Sequence, residues 1–558
     1  MNVCIVSPQK MLLILFLLLG VLSLQTLTQE FKTAPPPGLR TDGGIWPLPQ
    51  DVQYLNHSRS IGTRRSRPIQ IILDENINDC DILKFTRKTY LRKWLLPFED
   101  EASANNSTTL ILKISVQDGC PKSDEFPQQG MDEKYELSVP KEGNATLEAK
   151  EVWGALRGLE TFSQLVFLED ETYYIQSANI HDFPRFTVRG ILIDTSRHYL
   201  PPQTIRRQID LMAQNKMNIL HWHIVDIESF PLISTRFPDL SGKGAFTPRH
   251  VYDPKTVQNI IHYARLRGIR VMVEIDTPGH TGSWKGQPGF LADCSSATGE
   301  KVAPNILDPT KKENYKFLAE FFTEILEVFP EKFLHLGGDE VEYWTEACWR
   351  QNPEIRRFMK LHGFPDNVTA LEDYYFSKLQ QLLAPIAQER RQIFWQEVFD
   401  NNVPEPNAII HIWKGSTKTE RAESLAKVTA AGHQTILSSC WYLNYIHYGD
   451  DWKSGGINGD YYYCDPQDFN GTDAQKALVL GGIATMWAEM VDSTNIEARL
   501  WPRASAVAER LWSNPEATKN ADEAWPRLHE HRCRMVARGF RAQPINGPSF
   551  CHNEWLLP

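Results

Sequence analysis

From "FPRFTVRG" onward the hydrophobic pattern repeats one unit, a short apolar β-rich run ending in polar or aromatic residues and mostly followed by a helix-periodic stretch. Eight such runs occur: "VRGILIDTSR", "NILHWHIVD", "RVMVEID", "FLHLGGDE", "QIFWQEV", "AIIHIWKG", "QTILSSCWYL" and "GGIATMWAE". Between them lie segments of good helical periodicity such as "PQTIRRQIDLMAQNK", "DPKTVQNIIHYARLRG" and "ENYKFLAEFFTEILEVF". Strands alternating with helices predict a parallel sheet. Eight strands over about 310 residues, closed by the helical "RLWPRASAVAERLW" and "WPRLHEHRCRMVARGF", predict an α/β fold of the (β/α)8 TIM-barrel type. Only "FDNNVPEPN" separates the fifth and sixth runs, too short and Pro-broken for a helix, so the helix after strand 5 is expected to be missing. A doubly wound open sheet would want a Gly-rich phosphate loop after its first strand, and "IDTSRHYL" is not one.

Upstream, residues from about 65 to 180 mix alternating strands such as "TTLILKISVQ" with one amphipathic helix, "KEVWGALRGLETFSQLVF", the pattern of a modest α+β domain. At the start, Lys10 precedes "MLLILFLLLGVLSL", long enough for the core of a secretory signal and short for a spanning helix. The expected organisation is a signal peptide over 1–29, an N-terminal α+β domain over 30–183 and a catalytic barrel over 184–558. No later stretch reads as a membrane span, so no membrane association is expected once the signal is cleaved.

Composition narrows the function classes. The chain has 558 residues and a net charge of −10, and no basic patch stands out for a nucleic-acid partner. Removal of Cys4 with the signal leaves eight of the nine cysteines, and an even number in an oxidising compartment favours disulfides. Order along the chain makes Cys80–Cys120, Cys294–Cys348 and Cys533–Cys551 the simplest bridges, with Cys440 and Cys464 either a fourth pair or two buried thiols. Glycosylation sequons stand at Asn56, Asn105, Asn106, Asn144, Asn367 and Asn470.

Catalysis in such a barrel sits at the C-terminal ends of the strands. Read in order, those ends carry Arg197, Asp226, Glu274 with Asp276, Asp339 with Glu340, Trp395 with Glu397, Trp413, Tyr442, and Trp487 with Glu489. Aromatic faces stack on sugars while charged groups bond hydroxyls, so the ring suits a carbohydrate. Any one Trp is more often core; three at corresponding strand ends are harder to explain that way. Arg197 alone reads as half of a salt bridge and Asp226 as a cap or its partner, while Glu274, Asp276 and Glu397 are placed in a supporting layer. Two adjacent acids after an apolar strand, Asp339 and Glu340, are improbable without a function because burying unpaired charge is expensive. Their adjacency is puzzling, because paired glycosidase carboxylates normally stand about 5 Å or more apart. A metal-dependent hydrolase is the rival, with His221 and His223 on one face of a strand and His335 and His411 in others. Those histidines sit three or more residues before the ends of their runs, deeper than an open metal site, so no metal is assigned. His280, in "DTPGHTGSW", lies past the third strand and is placed to orient a hydroxyl or the acid.

At these residues the chain resembles glycoside hydrolase family 20, and within it the animal lysosomal β-N-acetylhexosaminidases. The likeness runs through "RGILIDTSRHYL", "NILHWHIVD", "ARLRGIRV", "DTPGHT", "HLGGDEV", "WQEVFD", "WYL" and "RLWPRASAVAERLW". It implies retaining hydrolysis of terminal β-linked GlcNAc or GalNAc without a cofactor, the substrate's acetamido oxygen acting as nucleophile through an oxazolinium ion. Glu340 then matches the general acid/base and Asp339 the residue that orients the acetamido N–H. Tyr442 would bond the acetamido carbonyl, Trp395, Trp413 and Trp487 would box it, and Arg197, Asp226 and Glu489 would hold ring hydroxyls. Asp339 beside Glu340 is expected to disfavour ionisation of the acid and keep its proton available. Asn444 and Tyr445 stand where tolerance of charged sugars is set, and no Arg occupies 445. The resemblance further implies a glycan substrate, a homodimer in which Tyr448 reaches the neighbouring pocket, and residence in the lysosome or secretion. A secreted sugar-binding protein without turnover is the non-enzyme alternative, although such a binder has no need of the acid.

Overall fold

A computed structural model describes residues 44–98, 109–295, 298–364, 367–401, 404–445, 451–454, 461–545 and 549–556. The signal segment, Asn105, Asn106 and Tyr448 lie outside the described residues. Seven strands form the first sheet: β1 (Asp51–Thr63), β2 (Ile69–Leu73), β3 (Leu110–Val116), β4 (Tyr135–Val139), β5 (Ala145–Ala149), β6 (Val166–Glu169) and β7 (Thr172–Asp182). Their order is β1-β7-β4-β5-β3-β2, with β6 beside β7. β2 alternates buried and exposed residues strictly, as a half-covered strand must. β1 does not: it is an edge strand, largely exposed, with register shifts against β7, and its hydrophobic pattern is correspondingly weak.

The helix Val152–Gln164 is where expectation and structure part. It is not amphipathic in effect, because all thirteen residues are buried between the sheet and the barrel. A Cβ on Gly154 would lie 2.1 Å from the Lys134 carbonyl oxygen, so glycine there lets the helix sit directly on the sheet. A second helix, Asp81–Thr89, extended by the π-turn Tyr90–Trp94, adds to the single one expected.

All eight predicted runs form strands: β8 (Val188–Asp194), β9 (Ile219–His223), β10 (Arg270–Glu274), β11 (Phe333–His335), β12 (Arg391–Trp395), β13 (Ile409–Ile412), β14 (Gln434–Leu437) and β15 (Val479–Met486). Every neighbouring pair is parallel, and β15 pairs with β8 to close the barrel. The crossover after β12 carries only the short helix Gln396–Asp400 among the described residues. The crossover after β14 is likewise without a full helix, holding only Asp451–Ser454 and Asp473–Ala477 among the described residues. Cys440–Cys464 braces that second connection, and Cys80–Cys120, Cys294–Cys348 and Cys533–Cys551 are the other bridges.

Buried charge joins the two units. Glu133 accepts from Arg157 Nε at 2.8 Å, Arg189 Nη2 at 2.6 Å and Asn218 Nδ2 at 3.2 Å, linking the loop before β4 to the floor of the barrel. Arg157 also donates to the carbonyls of Arg267 and Gly268. Burial alone would raise the Glu133 pKa, but Arg189 and Arg157 outweigh it and hold the carboxyl below its usual value. Such a group stabilises the fold above its unfolded pKa, and that stability is lost as pH falls through its folded pKa. Glu133→Gln should therefore destabilise by roughly 3–5 kcal/mol, leaving two arginines without their anion. A lowered Tm of similar size at pH 5 and pH 7 is the expected reading, with the deficit shrinking only in stronger acid.

Candidate active site

The turn after β11 sets the geometry. Gly337 and Gly338 have φ of 67° and 97°, a region open to glycine. A Cβ on Gly337 would lie 1.8 Å from Asp276 Oδ1. Space for that carboxylate is needed, because Asp276 Oδ1 accepts the Gly338 N–H at 2.9 Å. Glu340 follows with φ 54° and begins the helix Val341–Ala347, and His280 across the mouth has φ 48°. Side chains rarely adopt this backbone, and its occurrence at two polar residues of one site marks stored strain. Asp339 consequently turns inward, with 12 % of its side chain exposed, whereas 47 % of the Glu340 side chain is exposed.

A cavity of about 520 Å³ opens at this rim. Arg197, His280, Asp339, Glu340, Trp395, Trp413, Tyr442, Asn444, Trp487 and Glu489 all line it, so the residues singled out in the sequence converge, with one exception. Asp226 lies beneath, fully buried. It accepts from His223 Nε2 at 2.7 Å and His280 Nδ1 at 2.9 Å and pairs with Arg197 Nη2 at 2.8 Å. Burial would raise its pKa; His280 and Arg197 overcome that and drive it far down. With these partners, Asp226 holds the groups that line the cavity instead of reaching a ring hydroxyl itself.

His280 turns its other nitrogen to the catalytic pair, 3.7 Å from Asp339 Oδ2 and 3.5 Å from Glu340 Oε2. Burial works against its charge, yet Asp226, Asp339 and Asp276 raise its pKa well above the ordinary value. This corrects the expectation for Glu340. Its pKa is lowered, chiefly by the nearby His280 imidazole, so at rest the shared proton belongs to the imidazole and not to the acid. Asp339 is the carboxyl shifted upward, first by burial. Asp276 beside it is raised well above the ordinary carboxylate range by burial and by Asp339.

The aromatic walls are anchored from behind. Trp395 donates its indole N–H to Glu274 Oε1 at 2.7 Å, and Trp413 donates to Glu397 Oε2 at 2.7 Å. Ring centroids of Trp395 and Trp487 are 6.2 Å apart, and those of Trp413 and Tyr442 are 6.3 Å apart. Arg197 packs over Trp487 at 5.2 Å. Glu274, Asp276 and Glu397 thus support lining groups from outside the cavity, and burial pushes Glu397 up to about 7.

The histidine positions differ from expectation: His223 and His335 are the last residues of β9 and β11. They are nonetheless buried, His223 under Trp487 and His335 under Trp395. Glu274 gathers them, 2.7 Å from His221 Nε2, 2.9 Å from His223 Nδ1 and 3.4 Å from His335 Nδ1. His335 Nε2 meets His411 Nδ1 at 3.1 Å, and His411 Nε2 meets the Ser438 hydroxyl at 2.6 Å.

Sequence reasoning missed Asp194, the acid that ends β8. It accepts the N–H groups of Ser196, Arg197 and Ala488 and lies 3.3 Å from Arg197 Nη1. Its place at a strand end was the available signal. Met490 and Val491 on the cavity wall, and Glu228, 3.2 Å from Arg197 Nε, carried none, whereas Tyr445, singled out with Asn444, does line the cavity.

A closed parallel barrel whose C-terminal rim gathers acids, a guanidinium and an indole-walled cavity defines a glycoside hydrolase. Comparisons with known proteins agree. The profile described as "Glycosyl hydrolase family 20, catalytic domain" matches residues 186–515, and one described as "beta-acetyl hexosaminidase like" matches 45–165. Beta-hexosaminidase A of Caenorhabditis briggsae is 50 % identical, covering 92 % of this chain and 94 % of that one. The human beta-hexosaminidase subunit beta is 43 % identical, covering 98 % of each. Among solved structures, the Flavobacterium johnsoniae chitobiase superposes with a TM-score of 0.72 at 29 % identity, covering 89 % of this chain and 73 % of that one. The chain belongs to glycosyl hydrolase family 20, and within it to the β-hexosaminidases, which release terminal GlcNAc or GalNAc.

Gly337→Ala tests the turn. Strain at positive φ and the clash with Asp276 together should cost roughly 2–5 kcal/mol, and relief by loop movement displaces the acids. Loss of most turnover with a lowered Tm is expected; full activity at unchanged Tm would show that the turn has room to spare.

Proposed function

We propose that the cavity binds a terminal non-reducing β-linked GlcNAc or GalNAc and hydrolyses it with retention, the substrate's acetamido oxygen attacking the anomeric carbon. One observation carries this reading. Asp339 Oδ1 is buried and finds no N–H donor among the described residues, where Asp339 has the Asp276 carboxyl for a neighbour, inside a cavity walled by Trp395, Trp413, Trp487 and Tyr442. An acetamido N–H supplies the donor that oxygen lacks, and the indole walls fit the acyl group. Asp339 then steadies the positive charge that grows on the acetamido nitrogen, and the Tyr442 hydroxyl donates to its carbonyl oxygen. Holding an internal nucleophile in this way removes on the order of 7–11 kcal/mol of barrier.

Glu340, at the mouth, is the general acid and then the general base toward water. Its proton is shared with His280: transfer from imidazolium to carboxylate leaves neutral His280 hydrogen-bonded to Asp226 and a protonated acid facing the leaving oxygen. Arg197 and Glu489 hold ring hydroxyls, and the Asn444 oxygen, also buried without a donor among the described residues, takes another. Four disulfides and exposed sequons at Asn56, Asn144, Asn367 and Asn470 support passage through the secretory pathway to the lysosome or the exterior. Among the described residues no helix is long and apolar enough to cross a membrane. Dimerisation, with Tyr448 of one subunit at the pocket of the other, is part of the proposal and rests on likeness to the family's animal members.

Glu340→Gln should abolish most turnover on poor leaving groups, and Asp339→Asn should impair attack whatever the leaving group. A thiazoline that mimics the cyclised intermediate should inhibit the enzyme; an active enzyme indifferent to it would sink acetamido participation. His280→Gln gives the pH test. His280 holds the pair's proton above the ordinary range, so its loss leaves Glu340 to retain that proton by itself. The alkaline limb of kcat/KM should move toward acid by about one pH unit or more. An unmoved limb would separate His280 from the acid.

A further inference from the structure

Glu397 has no part in the chemistry assigned above, yet it touches two groups that do. It stands in the helix Gln396–Asp400, immediately after Trp395 ends β12, and is 6 % exposed. Oε2 accepts the Trp413 indole N–H at 2.7 Å, and Oε1 accepts the backbone N–H of Glu340 at 3.3 Å. Lys414 Nζ lies 3.3 Å from the same Oε1, its side chain 44 % exposed. The donors come from the turn after β11 and the end of β13, so one carboxyl spans two strand ends of the rim.

Glu340 occupies the left-handed backbone region, which needs outside support, and Trp413 is only partly buried. A surface pair with Lys414 would not by itself draw a carboxyl into the barrel rim, because an exposed pair is worth little against desolvation. In either protonation state a carboxyl offers two acceptor oxygens to these N–H groups, whereas an amide offers one and turns a donor toward the other.

We propose that Glu397 is a positioning residue for the hydrolysis, tying the peptide that carries Glu340 to the indole wall that confines the acetamido group. Proton donation and internal attack act on the same anomeric carbon from different elements, and Glu397 sets the separation between them. The inference rests on the roles proposed above for Glu340 and Trp413.

Full-length Glu397→Gln and Glu397→Asp test it on two aryl β-GlcNAc substrates, one with a phenyl and one with a 2,4-dinitrophenyl leaving group. On the phenyl substrate kcat should fall about 10–100-fold while KM changes less than about threefold, as expected for a displaced catalytic group. On the dinitrophenyl substrate, which leaves without a proton, the loss should be at least about threefold smaller. Thiazoline affinity should drop about tenfold as the Trp413 wall shifts. Unchanged kcat in folded variants overturns the inference, as does an equal loss on both substrates with unaltered thiazoline binding. Two variants that both lack a thermal transition also overturn it, since Glu397 is then a folding residue. Wild-type enzyme indifferent to thiazoline condemns the underlying reading of the site, whereas inhibited wild type with unaffected variants condemns only the role of Glu397.

Discussion

The Asp226 carboxylate is the point on which the catalytic mouth depends. It is wholly buried, and a lone charge there would be prohibitive. His223, His280 and Arg197 make it tolerable, and each is fixed in return. Arg197 is thereby held over Trp487, His280 is aimed at the acids, and His223 carries the link inward to Glu274. One anion therefore sets the direction of a guanidinium, an imidazole and, through them, the acid at the surface.

Below that point the barrel interior follows the same rule. Glu274 is held well below its ordinary pKa by His335, His223 and His221 against the opposing effect of burial. Burial pushes His335 down to about 3 and lowers His221 and His411 as well, whereas Glu274 and Asp226 overcome burial and raise His223. A column of alternating acids and imidazoles thus fills the top of the barrel, where hydrocarbon would usually pack. Its outermost layer holds the back of Trp395, so the indole wall stands on an ionic support and not on the apolar core alone.

Much of this was legible in the chain. The eight apolar runs became eight strands because their periodicity and bounding turns admit little else, and the barrel followed from their number and order. The acids and indoles at their ends fell on one rim for the same reason. Where the pattern is weak, reading failed: β1 lies on an edge with little to bury, and the connection after β14 holds only two short helices among the described residues. Asp194 passed unnoticed because a strand-end acid paired to the next arginine looks like any salt bridge. Asp226 was correctly located along the chain and wrongly directed, since nothing local tells a carboxylate whether it faces a ligand or two histidines.

The sequence by itself determined the order of strands, the Gly-Gly turn that presents two adjacent acids, and which residue types meet at the mouth. These depend on neighbours a few positions away. Only the tertiary structure decided where protons reside and which oxygens remain open to a ligand. His280 meets Asp226 across 54 positions and Glu340 meets Glu397 across 57, and the imidazole brought up to Glu340 outweighs both burial and the adjacent acid. For that reason Glu340 rests as a carboxylate beside the His280 imidazolium, although its chain neighbour Asp339 argued the opposite.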